Sequence, residues 1–242
     1  MRHLLLDHGN SRLKWGLYHR DHWESQGHLP GHDLTQLEQQ WIQFPTIDSI
    51  HGVSVGPSEQ RHRIDTICHA HGQKVFWLTS QPDEAGVTNH YLNPSQLGAD
   101  RWMALIAARH LNPEAATLVV MAGTATTIDS LDSQGNFKGG IILPGIGLMR
   151  QSLFQGTADL PAVHTGTFTL QARTTQDAIH SGILAATLGA IALALSRLDH
   201  ATILLGGGFH EQLSSHLPNP QRIIPDLVLE GLKQWMGHHP EG

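Results

Sequence analysis

Two short stretches of this chain carry side chains and turns suited to holding phosphate. The first is Asp7-His8-Gly9-Asn10-Ser11-Arg12-Leu13-Lys14, entered from the apolar run Leu4-Leu5-Leu6. The second is Gly123-Thr124-Ala125-Thr126-Thr127-Ile128-Asp129, entered from Leu118-Val119-Val120-Met121-Ala122. In each, a strand runs into a glycine-containing turn with small hydroxyl or amide side chains. Glycine lets the chain bend and removes the side chain in the way, so backbone N–H groups can approach an anion. A carboxylate at the strand end, Asp7, can hold Mg²⁺ through water, which suits an ion that dehydrates reluctantly. Asn10 and Ser11 can donate to phosphate oxygens, and Lys14 adds positive charge. The same residues also make ordinary hairpin turns and threonine-rich strands. It is their recurrence that favours chemistry. The copies differ at one place: Asp7 stands where the second copy has Met121.

A third group lies between them. Gly98-Ala99-Asp100-Arg101-Trp102 follows a polar loop over 80–96 and begins a helix. An aspartate there can be a simple cap. It can also take the proton of an attacking hydroxyl, with Arg101 steadying an anionic substrate or the transferring group. Gly206-Gly207-Gly208 after an apolar strand is a further turn at which a purine or ribose can approach the backbone. No Walker A sequence and no GxGxxG in a strand-to-helix setting is present.

Composition limits the alternatives. The chain has 242 residues, 40% apolar and 15% charged, enough for one large or two modest domains with a real core. A formal charge of −6 supplies no broad basic field, so nucleic acid is not the expected partner. Cys68 is the only cysteine and fits a reducing cytoplasm. The opening Met1-Arg2-His3-Leu4-Leu5-Leu6 reaches Asp7 too soon for a signal-peptide core. Nineteen histidines are scattered without zinc-ligand spacing.

The elements that position these groups form two similar series. Strands are expected at 3–8, 11–18 and 22–28, a helix at 34–42 capped by Asp33, a strand at 47–55, a helix at 58–71 and a strand at 74–78. The helix following Gly98 ends at Asn112-Pro113, which sets the expected domains at 1–113 and 114–242. The second series has strands at 117–122, 124–131 and 136–143, a helix at 146–155, a long helix at 175–197, a strand at 202–205 and a closing βα unit. The long helix is nearly all apolar between Ile179 and Leu195. It falls short of a membrane span and is expected in a core or subunit interface.

The ordered set Asp7-x-Gly9-Asn10, Tyr91, Leu97 to Trp102, Gly123 to Thr127, Phe137-x-Gly139-Gly140 and Pro144-Gly145 resembles the type III pantothenate kinases. The resemblance implies an α/β, duplicated actin-like (ribonuclease H-like) kinase fold, two β-meander/βα halves with the active site in the cleft. It implies ATP-dependent phosphorylation of pantothenate, the first step of coenzyme A synthesis, by a cytoplasmic homodimer using Mg²⁺ with ATP and a monovalent cation, K⁺ or NH₄⁺. Nucleotide would meet Asp7, His8, Gly9, Asn10, Ser11, Arg12, Leu13, Lys14 and Thr124. Tyr91, Gly98, Ala99, Asp100 and Arg101 would line the pantothenate pocket, with Asp100 as base. Thr175, or its neighbour Thr174, would reach pantothenate from near the dimer interface. The family's cation-binding aspartate is replaced here by Met121, so three outcomes are open: a cation-independent kinase, a weakened one, or the same fold serving as a nucleotide-binding accessory or regulatory protein. A kinase for another small hydroxy acid is a further reading.

Overall fold

The computed structural model describes residues 1–31, 33–219 and 221–239. The chain forms two compact units, Met1–His110 with Leu227–Gly242, and Leu111–Asp226.

In the first unit, β1 (Arg2–His8), β2 (Arg12–His19) and β3 (His22–Pro30) make the expected meander. The second turn uses Arg20 and Asp21, both left-handed, at φ 47° and 64°. Such a two-residue turn matches the twist of its strands. After α1 (Thr35–Trp41) come β4 (Ser49–Ser54), α2 (Ser58–Ala70) and β5 (Val75–Trp77), and the sheet order is β3-β2-β1-β4-β5. β1, β4 and β5 run parallel because helices return the chain between them. Leu4, Leu6, Leu13, Trp15, Leu17 and Ile50 alternate onto one face and pack with Leu37, Trp41, Ile64 and Ile67 of the two helices. Asp33, the expected cap, lies one residue before the N-cap, which is Leu34; its carboxylate accepts from the Thr35 hydroxyl and the Gln36 amide.

The polar loop contains more order than its composition suggests. It folds as a hairpin, β6 (Asp83–Glu84) with β7 (Val87–Asn89), followed by a 3₁₀ turn at Pro94–Gln96. α3 (Ala99–Leu111) begins at Ala99 and buries every residue from Arg101 to Ala108.

The second unit repeats the meander with β8 (Thr117–Ala122), β9 (Ala125–Leu131) and β10 (Asn136–Pro144), then α4 (Ile146–Gly156), α5 (Thr175–Leu195), β11 (Thr202–Gly206), a short α6 (His210–Ser214) and β12 (Gln221–Ile223). Within it the strands run β12-β11-β8-β9-β10. The core joins Leu118, Val120, Ala122 and Ile128 to Ile179, Ile183, Leu184 and Ile191 of α5.

One sequence expectation changes. The final helix α7 (Leu227–His238) was assigned with the second domain; it packs in the first unit. The reason is steric: Gly231 lies directly against the Met103 carbonyl of α3, where any Cβ would overlap backbone. α5 is apolar on all sides, yet only one face is buried within the chain. Ala178, Gly182, Ala186, Gly189 and Leu193 are exposed. By length and composition α5 also passes as a membrane span, but its other face is committed to the core with β8 and β9.

Candidate functional site

The turn after β1 is closed by Gly9 N–H donating to the Arg12 carbonyl at 3.0 Å. Asn10, Ser11 and Arg12 are exposed. Asp7 and Lys14 are direct cross-strand partners, so a carboxylate and an ammonium stand side by side at the turn's base. This arrangement supplies oxygen donors for Mg²⁺ and N–H, hydroxyl and amide donors for phosphate. Two residues of the expected loop turn inward. Leu13 is fully buried in the core and contributes backbone alone.

His8 is also fully buried, a role composition did not reveal. Its Nδ1 lies 2.8 Å from Ser54 Oγ and its Nε2 lies 3.2 Å from Gln60 Oε1. Its carbonyl accepts from Val55 N–H at 2.9 Å and Gly56 N–H at 3.1 Å. The turn after β1 is thereby tied to the β4–α2 connection. Burial pushes the His8 pKa down, which keeps the ring neutral and able to accept at one nitrogen.

Asp100 is the second residue of α3, and its Oδ1 accepts from Arg101 N–H at 2.8 Å. Burial raises its pKa, opposed by that bond and by the Arg101 charge. A carboxylate held in this way is a stronger base than one in water. Arg101 is 5% exposed and its Nη1 donates to Tyr91 Oη at 2.9 Å. Tyr91 is placed by Asn89, whose Oδ1 accepts from Tyr91 N–H at 3.1 Å and whose amide reaches the Gln81 and Pro94 carbonyls, each at 3.2 Å. Ser80 Oγ stands 2.8 Å from the carbonyls of both Pro94 and Leu97. Trp102 Nε1 donates to Glu84 at 3.3 Å. The loop is therefore a frame built around buried Asn89 and Ser80 and the partly buried Glu84. A composition reading registers such polar residues only as loop. The structure sets Tyr91 against Arg101 and Gly98 against Asp100, with Ala99 between them in the chain.

In the second unit, Gly123 N–H donates to the Ala125 carbonyl at 3.1 Å and leaves Thr124 exposed. Gly145 N–H donates to the Thr124 carbonyl at 2.9 Å, and a Cβ on Gly145 would overlap the Gly123 and Thr124 carbonyls. The turn thus sits against the start of α4, which has no side-chain cap, so free N–H groups face the same region. Phe209 N–H donates to the Ala122 carbonyl at 3.0 Å, bringing the Gly206–Gly208 turn to the end of β8.

Met121 pairs with Thr127 across β8 and β9, and Asp129 pairs with Val119 two positions along. Alternation places Met121, Thr127 and Asp129 on one face. A thioether is a poor ligand for K⁺, so Met121 does not fit the monovalent-cation ligand that the resemblance implies at this position. Asp129 and Thr127 are oxygen donors on this face beside Met121, and both are buried. Among the described residues there is no cluster of His, Cys, Asp or Glu fit to hold a metal.

Thr174 is the N-cap of α5: its Oγ1 accepts from Asp177 N–H at 3.1 Å. Asp177 Oδ1 in turn accepts from Thr167 N–H at 2.8 Å. With Thr174 used as a cap, the hydroxyl of Thr175 is left exposed.

Two α/β units, each opening with a β-meander that turns at a phosphate-type loop, define the duplicated actin-like kinase fold. Solved structures agree. The chain covers 99% of itself and 100% of a Campylobacter jejuni protein assigned to the Baf family of transcriptional activators, at TM-score 0.66 and 21% identity. It covers 99% of itself and 100% of a Sinorhizobium meliloti protein assigned as a 2-dehydro-3-deoxygalactonokinase, at TM-score 0.59 and 12% identity. The family model for type III pantothenate kinase matches residues 3–197. A type III pantothenate kinase from Dechloromonas aromatica is 43% identical over 230 residues, covering 94% of this chain and 96% of its own length. This chain belongs to the type III pantothenate kinase family.

Proposed function

We propose that the chain transfers the γ-phosphoryl group of ATP to the primary hydroxyl of pantothenate, with Asp100 as general base. The observation that carries this reading is Asp100 itself: a carboxylate made more basic by burial, beside an Arg101 locked onto Tyr91. A protein that merely bound nucleotide would have no use for that base. Family membership supports ATP, a divalent metal and pantothenate as its reactants.

Mg²⁺ bound with ATP would supply charge neutralisation across the phosphates, and Asp7 would hold it through water. Asn10, Ser11 and Thr124 would orient phosphate oxygens by hydrogen bonds. Arg101 would hold the pantothenate carboxylate or the transferring group, and Asp100 would take the hydroxyl proton as the oxygen attacks. We assign Thr175 rather than Thr174 to pantothenate, because Thr174 is consumed as a cap. The exposed face of α5 (Ala178, Gly182, Ala186, Gly189) is flat and suits a second copy of the chain in a homodimer. The free, buried Cys68, its thiol pushed up to about 12 by burial, accords with a cytoplasmic location. Met121 makes turnover largely independent of K⁺.

The test is direct. Purified protein with ATP, Mg²⁺ and pantothenate yields ADP and 4′-phosphopantothenate. No turnover from folded protein, with or without K⁺ or NH₄⁺, would sink the reading.

A further inference from the structure

Around the open edge of the first unit's sheet runs a groove of about 960 Å³ that the kinase reading does not use. β5 is the edge strand, and α2 and α7 flank it. Its walls are aromatic: Phe76, 48% exposed, with Trp77 and Trp235. Both indole N–H groups are already satisfied, Trp77 Nε1 by Asp65 at 2.7 Å and Trp235 Nε1 by Glu84 at 2.6 Å. The rings are thus fixed in orientation. His51 stacks on Phe76 with centroids 5.5 Å apart, and lies 5.6 Å from Trp235, so a continuous series of rings crosses the sheet.

The charge in this groove is opposite to that of the chain as a whole. The Arg61 guanidinium sits 5.1 Å from the Trp77 ring centre and the Lys74 ammonium 5.6 Å from that of Phe76. Among the described residues neither forms an ion pair with a carboxylate. Asp65, the groove's acidic residue, is held by the Trp77 indole. His69 adds a titratable ring at the rim. The strand adds backbone donors. Leu78 N–H donates inward to the Gly52 carbonyl at 2.7 Å, and a parallel strand turns alternate residues to opposite sides, so Trp77 presents its N–H and C=O to the open edge.

We propose that this groove binds a planar aromatic anion of about the size of a nucleoside monophosphate. The ring system would lie along Phe76 and Trp235, and Arg61 and Lys74 would take the anionic group. Rings and cations together are the combination that recognises such ligands. An aromatic wall alone admits neutral molecules, and two lysine- or arginine-type charges alone hold any phosphate weakly.

The two tryptophans report occupancy. Titration of the intact protein with AMP, in saturating Mg²⁺ and a non-hydrolysable ATP analogue that fills the catalytic nucleotide site, is followed by tryptophan fluorescence and calorimetry. We expect saturable one-site binding. Adenosine and inorganic phosphate should each bind at least 10-fold more weakly than AMP. Arg61→Gln with Lys74→Gln, and separately Phe76→Ala, should weaken AMP at least 10-fold with circular dichroism unchanged. Absence of saturable binding to the unaltered protein overturns the proposal, as does undiminished binding by the folded variants. Equal affinity for adenosine overturns the anionic part, and equal affinity for phosphate the aromatic part. No turnover is needed, so failure of the kinase reading leaves this result interpretable.

Discussion

Gly98 has no side chain because the Asp100 carboxylate occupies the space one would fill: a Cβ at 98 would lie 2.6 Å from Asp100 Oδ1. The same position faces Val55 at 3.8 Å, and the Val55 amide holds the His8 carbonyl. Asp100, the proposed base, and the turn after β1, the proposed phosphate turn, are therefore linked through one valine. Aspartate at the second position of a helix turns its carboxylate back over the residue just before the helix, and here that residue is Gly98.

We predict that Gly98→Ala displaces the carboxylate and lowers kcat by about 10-fold or more, since an error near 1 Å in a reacting group is costly. The fold should survive, because Gly98 lies in the loop before α3. Steady-state kinetics beside a thermal melt check this. A variant with unchanged kcat would mean that Asp100 tolerates a different position and is not the base.

Asp100→Asn should lower kcat by roughly 10²–10⁴, the usual worth of a positioned base. Stability should move the other way. A carboxyl whose folded pKa is raised stabilises the fold at low pH and loses that contribution as pH rises through the raised value. At neutral pH the aspartate is charged at a cost that asparagine avoids, so the variant should melt higher. For the same reason the acid limb of kcat/KM should lie above the ordinary carboxylate range. A variant that is less stable at pH 7, or an acid limb in that ordinary range, contradicts the assignment.

How much of this was legible in the sequence follows from what kind of force acts. Strands and helices were visible wherever apolar residues alternate or recur, as along Leu4–Leu6 and Leu118–Val120, because burial of one face sets that pattern. The turn residues and Asp100 were visible because glycine and carboxylate placement is local. Three things were not. The hairpin at Asp83–Asn89 is held by Asn89 and Ser80 reaching distant carbonyls, which leaves no periodic trace. The return of α7 depends on Gly231 meeting Met103, a contact between residues far apart in the chain. His8 reads as a loop histidine until Ser54 and Gln60 are seen around it.

The adjacent threonines at 174 and 175 should separate cleanly. Thr174→Ala removes an N-cap and should cost about 1 kcal/mol of stability with little change in KM for pantothenate. Thr175→Ala should leave the melting temperature within a degree or so and raise that KM several-fold, because its exposed hydroxyl has no structural duty. Chemical denaturation and pantothenate titration give both readouts. The reverse pattern would assign the substrate contact to Thr174.

Arg101 is buried and donates to Tyr91 through a planar guanidinium, so Lys is not an equivalent. Arg101→Lys should raise KM for pantothenate about 10-fold or more while KM for ATP changes little. Tyr91→Phe, which removes the acceptor but keeps the ring, should cause a smaller effect in the same direction. Equal rises in both Michaelis constants would show that Arg101 supports the fold of the site as a whole instead of one substrate.

The exchange at position 121 gives the sharpest prediction. Met121 faces Thr127 across the ladder and shares its face with buried Asp129. A carboxylate at 121 would need a cation to offset the charge of Asp129 and of the ATP phosphates. Methionine removes both the negative charge and the need for its counterion. The unaltered protein should therefore turn over at similar rates in Na⁺ and K⁺ buffers. Met121→Asp should be less active without K⁺, because an uncompensated carboxylate repels phosphate, and K⁺ or NH₄⁺ should restore it several-fold. Initial rates in Na⁺, K⁺ and NH₄⁺ for both proteins decide the matter. Strong K⁺ activation of the unaltered chain would show that Asp129 and Thr127, or other oxygens, hold the ion without an aspartate at 121.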